Sequence, residues 1–248
     1  MAGALVACGS DSGGSGQASD TASQGTLTVC SDIPYAPFEF EENGRAVGID
    51  IELMTAVAEG LDLRVSFKDT DFDGIFAALA AGQCDVVASS VSITEERLRN
   101  NEFTSGYYEI RQSILVRKAD VERYASLESL RGRTIGVQAG TTGEGYAQAN
   151  ATGSTVRSFT GADELFTALR ANQVDAVLQD LPVNAYHAQT SGETAVSARL
   201  ASEAEQLGFV VKKGNTRLRD DINAELEELA ASGKRDEILR KYLGGAGS

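Results

Sequence analysis

Apolar positions along the chain follow two alternating periods. Thr26–Ser31 is a short apolar run of strand length, and Leu63, Val65 and Phe67 alternate with polar neighbours, as in a half-buried strand. Between them, Ile49, Leu53, Met54 and Val57 recur at helical spacing across Gly48–Glu59. Asp73–Ala81 reads as a short helix that turns Ile75, Phe76 and Leu79 inward, and Asp85–Ser90 as a buried strand. Thr134–Gln138 and Thr155–Phe159 read as further strands. Alternation of this kind predicts an α/β fold whose mostly parallel sheets are covered by helices.

The pattern repeats. Phe76-Ala77-Ala78-Leu79-Ala80-Ala81-Gly82-Gln83-Cys84-Asp85-Val86-Val87 aligns with Phe166-Thr167-Ala168-Leu169-Arg170-Ala171-Asn172-Gln173-Val174-Asp175-Ala176-Val177 at a constant offset of ninety positions. Each copy reads as helix, tight turn and strand, so the chain is expected to form two similar α/β lobes. In open α/β sheets, ligands sit beyond the carboxyl ends of the strands. The first copy ends in Ser89-Ser90-Val91-Ser92 and the second in Gln179-Asp180, both polar where a strand prefers apolar residues. Two lobes offering such ends to one cleft would enclose a small ligand.

Composition narrows the chemistry. The 248 residues suffice for two modest cores, and the apolar runs are far shorter than a membrane span. A net charge of −14 argues against nucleic acid and anionic membrane surfaces as partners. His187 is the only histidine and no G-x-S-x-G motif occurs, which argues against histidine-rich metal sites and serine-hydrolase chemistry; His187 reads as a packing residue. The spacing of Cys8, Cys30 and Cys84 fits no zinc pattern. Cys30 ends one expected strand and Cys84 begins another. On parallel neighbours the two sulfurs would lie near opposite ends, too far apart to bridge, so both read as small core residues. Residues 9–25 are rich in Gly and Ser and read as a linker. The preceding Leu5-Val6-Ala7-Cys8 resembles a bacterial lipobox, which implies a lipid on Cys8, although no charged leader or full apolar stretch precedes it.

The candidate site residues lie after strands. Thr94 is a good helix N-cap, which puts Arg97 in a first helical turn, where a cation opposes the helix dipole and needs an anion. Glu95 or Glu96 is one source; a ligand carboxylate in the guanidinium fork is the other. Gly140-Thr141-Thr142-Gly143-Glu144 also opens a helix after a strand, and its free N–H groups suit the same carboxylate. Asp180, close to Pro182, reads either as an N-cap or as the partner of a ligand ammonium. Asp32, Tyr35 and Phe72 stand in loops after strands.

The runs Ser31-Asp32-Ile33-Pro34-Tyr35-Ala36-Pro37-Phe38-Glu39-Phe40, Gly48-Ile49-Asp50-Ile51-Glu52-Leu53, Asp71-Phe72-Asp73-Gly74-Ile75, Ser92-Ile93-Thr94-Glu95-Glu96-Arg97, Phe103-Thr104-Ser105-Gly106-Tyr107-Tyr108 and Gly136-Val137-Gln138-Ala139-Gly140-Thr141-Thr142 occur in one order. Together, over about Thr26 to Leu243, they resemble the family-3 extracellular solute-binding proteins of polar amino-acid ABC transporters, nearest the lysine/arginine/ornithine, arginine and glutamine binders. The resemblance implies a two-lobed type II periplasmic binding protein fold with a two-strand hinge crossing near Gly106–Arg111 and Ala204–Leu207. Lobe 1 would be 26–108 plus 208–248, and lobe 2 would be 109–207 with the crossings. It implies a monomer without cofactor, metal or catalytic residue, served by a permease and its ATPase and held to the membrane by lipid alone. It further implies that Arg97 grips the α-carboxylate with N–H groups at Ser92 and Thr142. Asp180 would take the α-ammonium with Ser90 and Ser92, Tyr35 and Phe72 would flank the side chain, and Asp32 would meet its far end. Ser89, Gln138, Thr141 and Gln179 complete the expected site. Relatives of this fold include cyclohexadienyl dehydratases, and others are sensory modules of receptors, the two rival classes. Gln138 cannot neutralise Asp32 as a lysine would, so Arg or Lys is the expected ligand, with Gln second.

Overall fold

A computed structural model describes Thr21 and residues 25–244; Cys8 and most of the expected linker lie outside the described residues. In chain order come β1 (Thr26–Ser31), the hairpin β2 (Phe40–Glu42) and β3 (Arg45–Val47), α1 (Ile49–Gly60), β4 (Arg64–Asp69), α2 (Ile75–Ala80), β5 (Val86–Val87), α3 (Glu95–Asn100) and β6 (Asn101–Phe103). After β7 (Tyr108–Ile110) follow β8 (Gln112–Arg117), β9 (Thr134–Gln138), α4 (Thr142–Asn150), β10 (Thr155–Phe159), α5 (Ala162–Arg170), β11 (Ala176–Asp180), α6 (Leu181–Ser191) and β12 (Thr194–Arg199). The chain closes with β13 (Glu205–Leu207), β14 (Val210–Lys212), α7 (Thr216–Ala231) and α8 (Lys234–Leu243).

Two five-stranded sheets organise these elements, in the orders β4-β1-β5-β14-β6 and β10-β9-β11-β8-β12, and the antiparallel pair β7–β13 links them. Four strands of each sheet share one direction and the fifth opposes them, so the sheets are mixed with a parallel majority. Strands β4, β1 and β5 run parallel, as do β10, β9 and β11; β14 and β8 enter antiparallel, and β6 and β12, each antiparallel to that strand, return to the majority direction. Both exceptions directly follow a linking strand, so the chain enters each sheet without the helical crossover that enforces parallel pairing. β14, late in sequence, pairs with β5 and β6 of the first sheet.

The helical period of α1 is realised: Ile49, Leu53, Met54 and Val57 are fully buried. Only glycine fits at its start. Gly48 has φ of 126°, and a Cβ there would lie 2.1 Å from the Phe38 carbonyl oxygen. The repeat is realised in detail. Gly82 and Asn172 both adopt left-handed φ, 70° and 57°, in the turns after α2 and α5. Asp85 clamps Thr28 of β1, donating its N–H to the Thr28 carbonyl at 2.8 Å and accepting the Thr28 N–H at 2.9 Å; Asp175 treats Thr134 of β9 identically.

Two expectations fail here. The strand expected over Asp85–Ser90 pairs only at Val86–Val87, because the backbone turns out of the sheet towards Ser90, which has φ of 49°. Cys30 and Cys84 do bridge, with their Cα atoms 5.7 Å apart. The premise that kept them apart was that Cys84 opens a strand. It instead lies in the turn that drops from α2 onto the sheet, and both cysteines share one core cluster with Ile75, Leu79 and Val87.

Candidate ligand site

The two sheets direct their strand ends at one shared cavity. Asp32 and Tyr35 reach it from the loop after β1, and Phe72 from the loop after β4. Ser89, Ser90 and Ser92 come from the chain leaving β5, and Arg97 from the first turn of α3. The second lobe supplies Gln138 at the end of β9, Thr141 and Thr142 at the start of α4, and Asp180 at the end of β11. Eleven of the twelve residues expected at the site thus meet. Gln179 does not line the cavity. Its side chain lies behind Gln138 and donates to Gln138 Oε1 at 3.4 Å, because strand alternation turns it away from its neighbour Asp180.

Thr94 caps α3 through the Arg97 N–H. The Arg97 side chain donates to the Ser92 carbonyl at 2.9 Å and, across the cleft, to the Gly140 carbonyl at 3.1 Å. Its guanidinium carbon lies 5.5 and 5.3 Å from the ring centroids of Phe72 and Phe76. Neither Glu95 nor Glu96 forms a salt bridge with it. Burial lowers the Arg97 pKa, against the opposing pull of Glu205, Asp180 and Glu96. The position of Ser92 is fixed by a bridge to Leu207 of the linking strand β13.

Asp180 precedes α6 but its carboxylate does not cap the helix. It accepts the Tyr35 hydroxyl at 2.8 Å, from the opposite lobe, and the Gln112 side-chain amide at 2.8 Å. Burial, then the nearby Glu205, raises its pKa to about 6, while those two donors and Arg97 pull it down. Asp32 accepts a cross-cleft hydrogen bond from the Gln138 amide. Burial raises its pKa to about 7, with Asp69 and Asp71 adding to the rise. α4 begins with a reciprocal cap: the Glu144 N–H binds Thr141 Oγ1, and Glu144 Oε2 accepts the Gly140 N–H.

The cavity therefore holds a guanidinium at one end, a buried carboxylate from the other lobe, two aromatic faces and a second carboxylate. Such a set is complementary to a zwitterion with a polar side chain. His187 lies elsewhere, stacked on Phe166 with ring centroids 3.9 Å apart; burial lowers its pKa to about 4. Sequence reasoning missed Gln112, which holds Asp180, and Glu39, Asp50 and Tyr107, which lie beneath the cavity. The acids at 39 and 50 sit among apolar neighbours, a pattern that marks buried polar residues.

The family model for bacterial extracellular solute-binding proteins, family 3, matches residues 27–245. The L-cystine-binding protein TcyJ of Escherichia coli K12 is 28% identical over 222 residues, covering 89% of this chain and 84% of TcyJ. Among solved structures, an ancestral arginine-binding protein bound to glutamine is 38% identical, with a TM-score of 0.85 over 90% of this chain and 99% of its own. The ancestral amino acid-binding protein AncCDT-1, a precursor of cyclohexadienyl dehydratase, is 34% identical, with a TM-score of 0.83 over 88% of this chain and 95% of its own.

Proposed function

The chain belongs to the bacterial extracellular solute-binding proteins, family 3, and from that premise we propose that it captures a polar L-amino acid between two lobes and hands it, chemically unchanged, to an ABC importer. The observation that carries this reading is the meeting of Arg97, from the first turn of α3, and Asp180, from the end of β11, at one cavity. A free amino acid presents a carboxylate and an ammonium a few ångströms apart, and each needs a fixed countercharge when buried. Arg97 takes the carboxylate, with N–H groups of Ser92 and Thr142 beside it. Asp180 takes the ammonium, with Ser90 and Ser92 completing its acceptors. Tyr35 and Phe72 flank the side chain, and Asp32 and Gln138 meet its far end, with Ser89 and Thr141 holding the walls.

The charges acting on Asp32 are those of Asp69 and Asp71, so the pocket favours a cationic side chain. Arginine or lysine ranks first and glutamine second. The Cys30–Cys84 disulfide suits an oxidising, extracytoplasmic setting. Within this reading, residues 26–108 with 208–248 and residues 109–207 form the two hinged lobes of a monomer. Cys8 carries a lipid anchor, and the partners are a permease and its ATPase. Isothermal titration with the common amino acids tests the proposal. Saturable binding of arginine, lysine or glutamine is expected; binding confined to acidic or aliphatic amino acids, or turnover of arogenate or prephenate, would overturn it.

A further inference from the structure

Beneath the cavity floor lie two carboxyl groups that never reach the ligand space. Glu39 and Asp50 are both completely buried. Each is tied to one of two consecutive residues of the pocket wall. The Ser89 hydroxyl donates to Glu39 Oε1 at 2.9 Å and accepts the Asp32 N–H at 3.0 Å. The Ser90 N–H donates to Asp50 Oδ2 at 2.8 Å, and the Tyr107 hydroxyl donates to Asp50 Oδ1 at 2.5 Å. Ser90 itself stands at φ of 49°, a conformation a serine holds only when its surroundings fix it. Three pocket residues, Asp32, Ser89 and Ser90, thus depend on this acid pair.

Among the described residues, no salt bridge reaches either acid. The charged groups that act on Glu39 are Asp50, Asp32 and Asp180, all acidic, and its remaining neighbours in the network are the hydroxyls of Ser89, Tyr35 and Tyr107. Two adjacent buried carboxylates without a cation are not sustainable, so one proton stays in the pair. The donor count says where. Asp50 receives two donors, from Ser90 and Tyr107, and is built to carry charge. Glu39 receives one, and its Oε2 has no hydrogen-bond partner.

We propose that Glu39 and Asp50 are positioning residues of the ligand pocket: neutral Glu39 beside anionic Asp50 locks the Ser89–Ser90 turn, and loss of the Glu39 proton releases it. Two facing anions repel, and each drags one of two consecutive residues with it. The Ser90 carbonyl and the Asp32 backbone then leave their places. The inference rests on the amino-acid-binding reading for its functional consequence but not for its structural core. Burial, then the Asp50 charge, raises Glu39 well above the ordinary carboxylate range; burial raises Asp50 to about 7 against its two donors, so Asp50 carries the charge of the pair above that pH.

The test compares the wild type with Glu39→Gln, which fixes the neutral form. L-Arginine and L-glutamine affinities are measured by titration calorimetry from pH 7.5 to 9.5, where Asp50 is ionised. Titration of the ligand's own amine affects both proteins and cancels in their ratio, and glutamine, which needs no anion at Asp32, keeps the titration of Asp32 out of the comparison. Wild-type affinity is expected to fall about tenfold further than that of the variant across this range; a ratio constant within twofold overturns the proposal. In parallel, amide exchange of Ser90 in the wild type, corrected for intrinsic rate, is referred to Val137 in the second sheet. A relative loss of Ser90 protection with rising pH is expected, and an unchanged ratio overturns the proposal even if the variant does not fold. If neither amino acid binds at any pH, the binding reading fails while the exchange measurement still decides the positioning role.

Discussion

Asp32 turns the choice of ligand into a pH measurement. In the empty pocket its carboxyl is buried, held by the Gln138 amide and the Phe72 N–H, and repelled by Asp69 and Asp71, so its pKa rises to about 7. Protonation disfavours a cationic side chain, because the countercharge must be restored before the cation can be held. With that pKa, about one molecule in eleven carries ionised Asp32 at pH 6 and about ten in eleven at pH 8. Arginine affinity should therefore fall about tenfold from pH 8 to pH 6 beyond any change common to both ligands, and arginine binding near pH 6 should release about one proton more than glutamine binding. Glutamine needs no anion there and keeps its affinity apart from the contribution of Asp180, which titrates near pH 6 against the ammonium common to both ligands. The arginine-to-glutamine affinity ratio isolates Asp32. Asp32→Asn should remove a charge-assisted hydrogen bond of about 1.5–3 kcal/mol, lowering arginine affinity about 10- to 150-fold at pH 8, and should flatten the ratio against pH. Calorimetry from pH 5.5 to 8.5 in two buffers of different ionisation heat reads both affinity and proton release. An arginine-to-glutamine ratio independent of pH in the wild type, or arginine binding that releases no more protons than glutamine binding at pH 6, would refute the reasoning.

Arg97→Ala should reduce binding of any amino acid at least about 100-fold by leaving the ligand carboxylate unpaired in the cavity, which calorimetry detects as loss of saturable heat. Near-normal affinity would show that Arg97 serves only its helix and the faces of Phe72 and Phe76. Asp32, Asp50 and Asp180 all have pKa values raised by burial, so the empty protein binds more protons than the unfolded chain between about pH 4 and 7. Their contribution is present in acid and lost as pH climbs through this window, so the thermal midpoint should be higher at pH 5 than at pH 8; the reverse order would count against their raised values in the empty protein. The Cys30–Cys84 bond closes a separation of 54 residues, and the chain-entropy relation assigns it about 4 kcal/mol. Cys30→Ser with Cys84→Ser should lower the denaturant midpoint without abolishing ligand binding, and an unchanged midpoint would show that the unfolded chain is already constrained. X-ray scattering should show a smaller radius of gyration with saturating arginine than without, as lobe closure requires; equal radii would count against a hinge.

Much of this structure was legible because its physics is local. β1 and β9 fall at the expected residues because short, largely apolar runs bounded by polar ones have few other ways to be buried, and β10, alternating and mostly exposed, falls at its expected residues as an edge strand. Arg97 and Asp180 were recognisable from strand-end and helix-start chemistry, which needs no knowledge of the opposite lobe. What was not legible depended on long-range packing. Antiparallel β8 and β14 follow from where the linking strands enter each sheet, and nothing in their own residues states it. Gln112 reads as an ordinary strand glutamine until β11 brings Asp180 beside it. Glu39 and Asp50 lie inside runs that were noticed as motifs, yet their role appears only when the turn at Ser90 folds onto them.

The disulfide is the instructive case, because the repeat already contained it. Asp85 clamps Thr28 as Asp175 clamps Thr134, so Cys30 corresponds to Gly136 and Cys84 to Val174. In the second lobe a Cβ placed on Gly136 would lie 3.4 Å from Val174 Cγ1, which is side-chain contact. The fold thus brings these two positions together in both lobes. One copy fills the contact with a valine against a bare backbone, and the other with two sulfurs. Treating the cysteines as residues on abstract parallel strands placed them far apart. Treating them as the counterparts of Gly136 and Val174 makes them neighbours, because the turn before the third parallel strand leaves its last residue over the first. An internal repeat therefore constrains pairs of positions more tightly than strand order does, and it is from such pairs that the bridge follows.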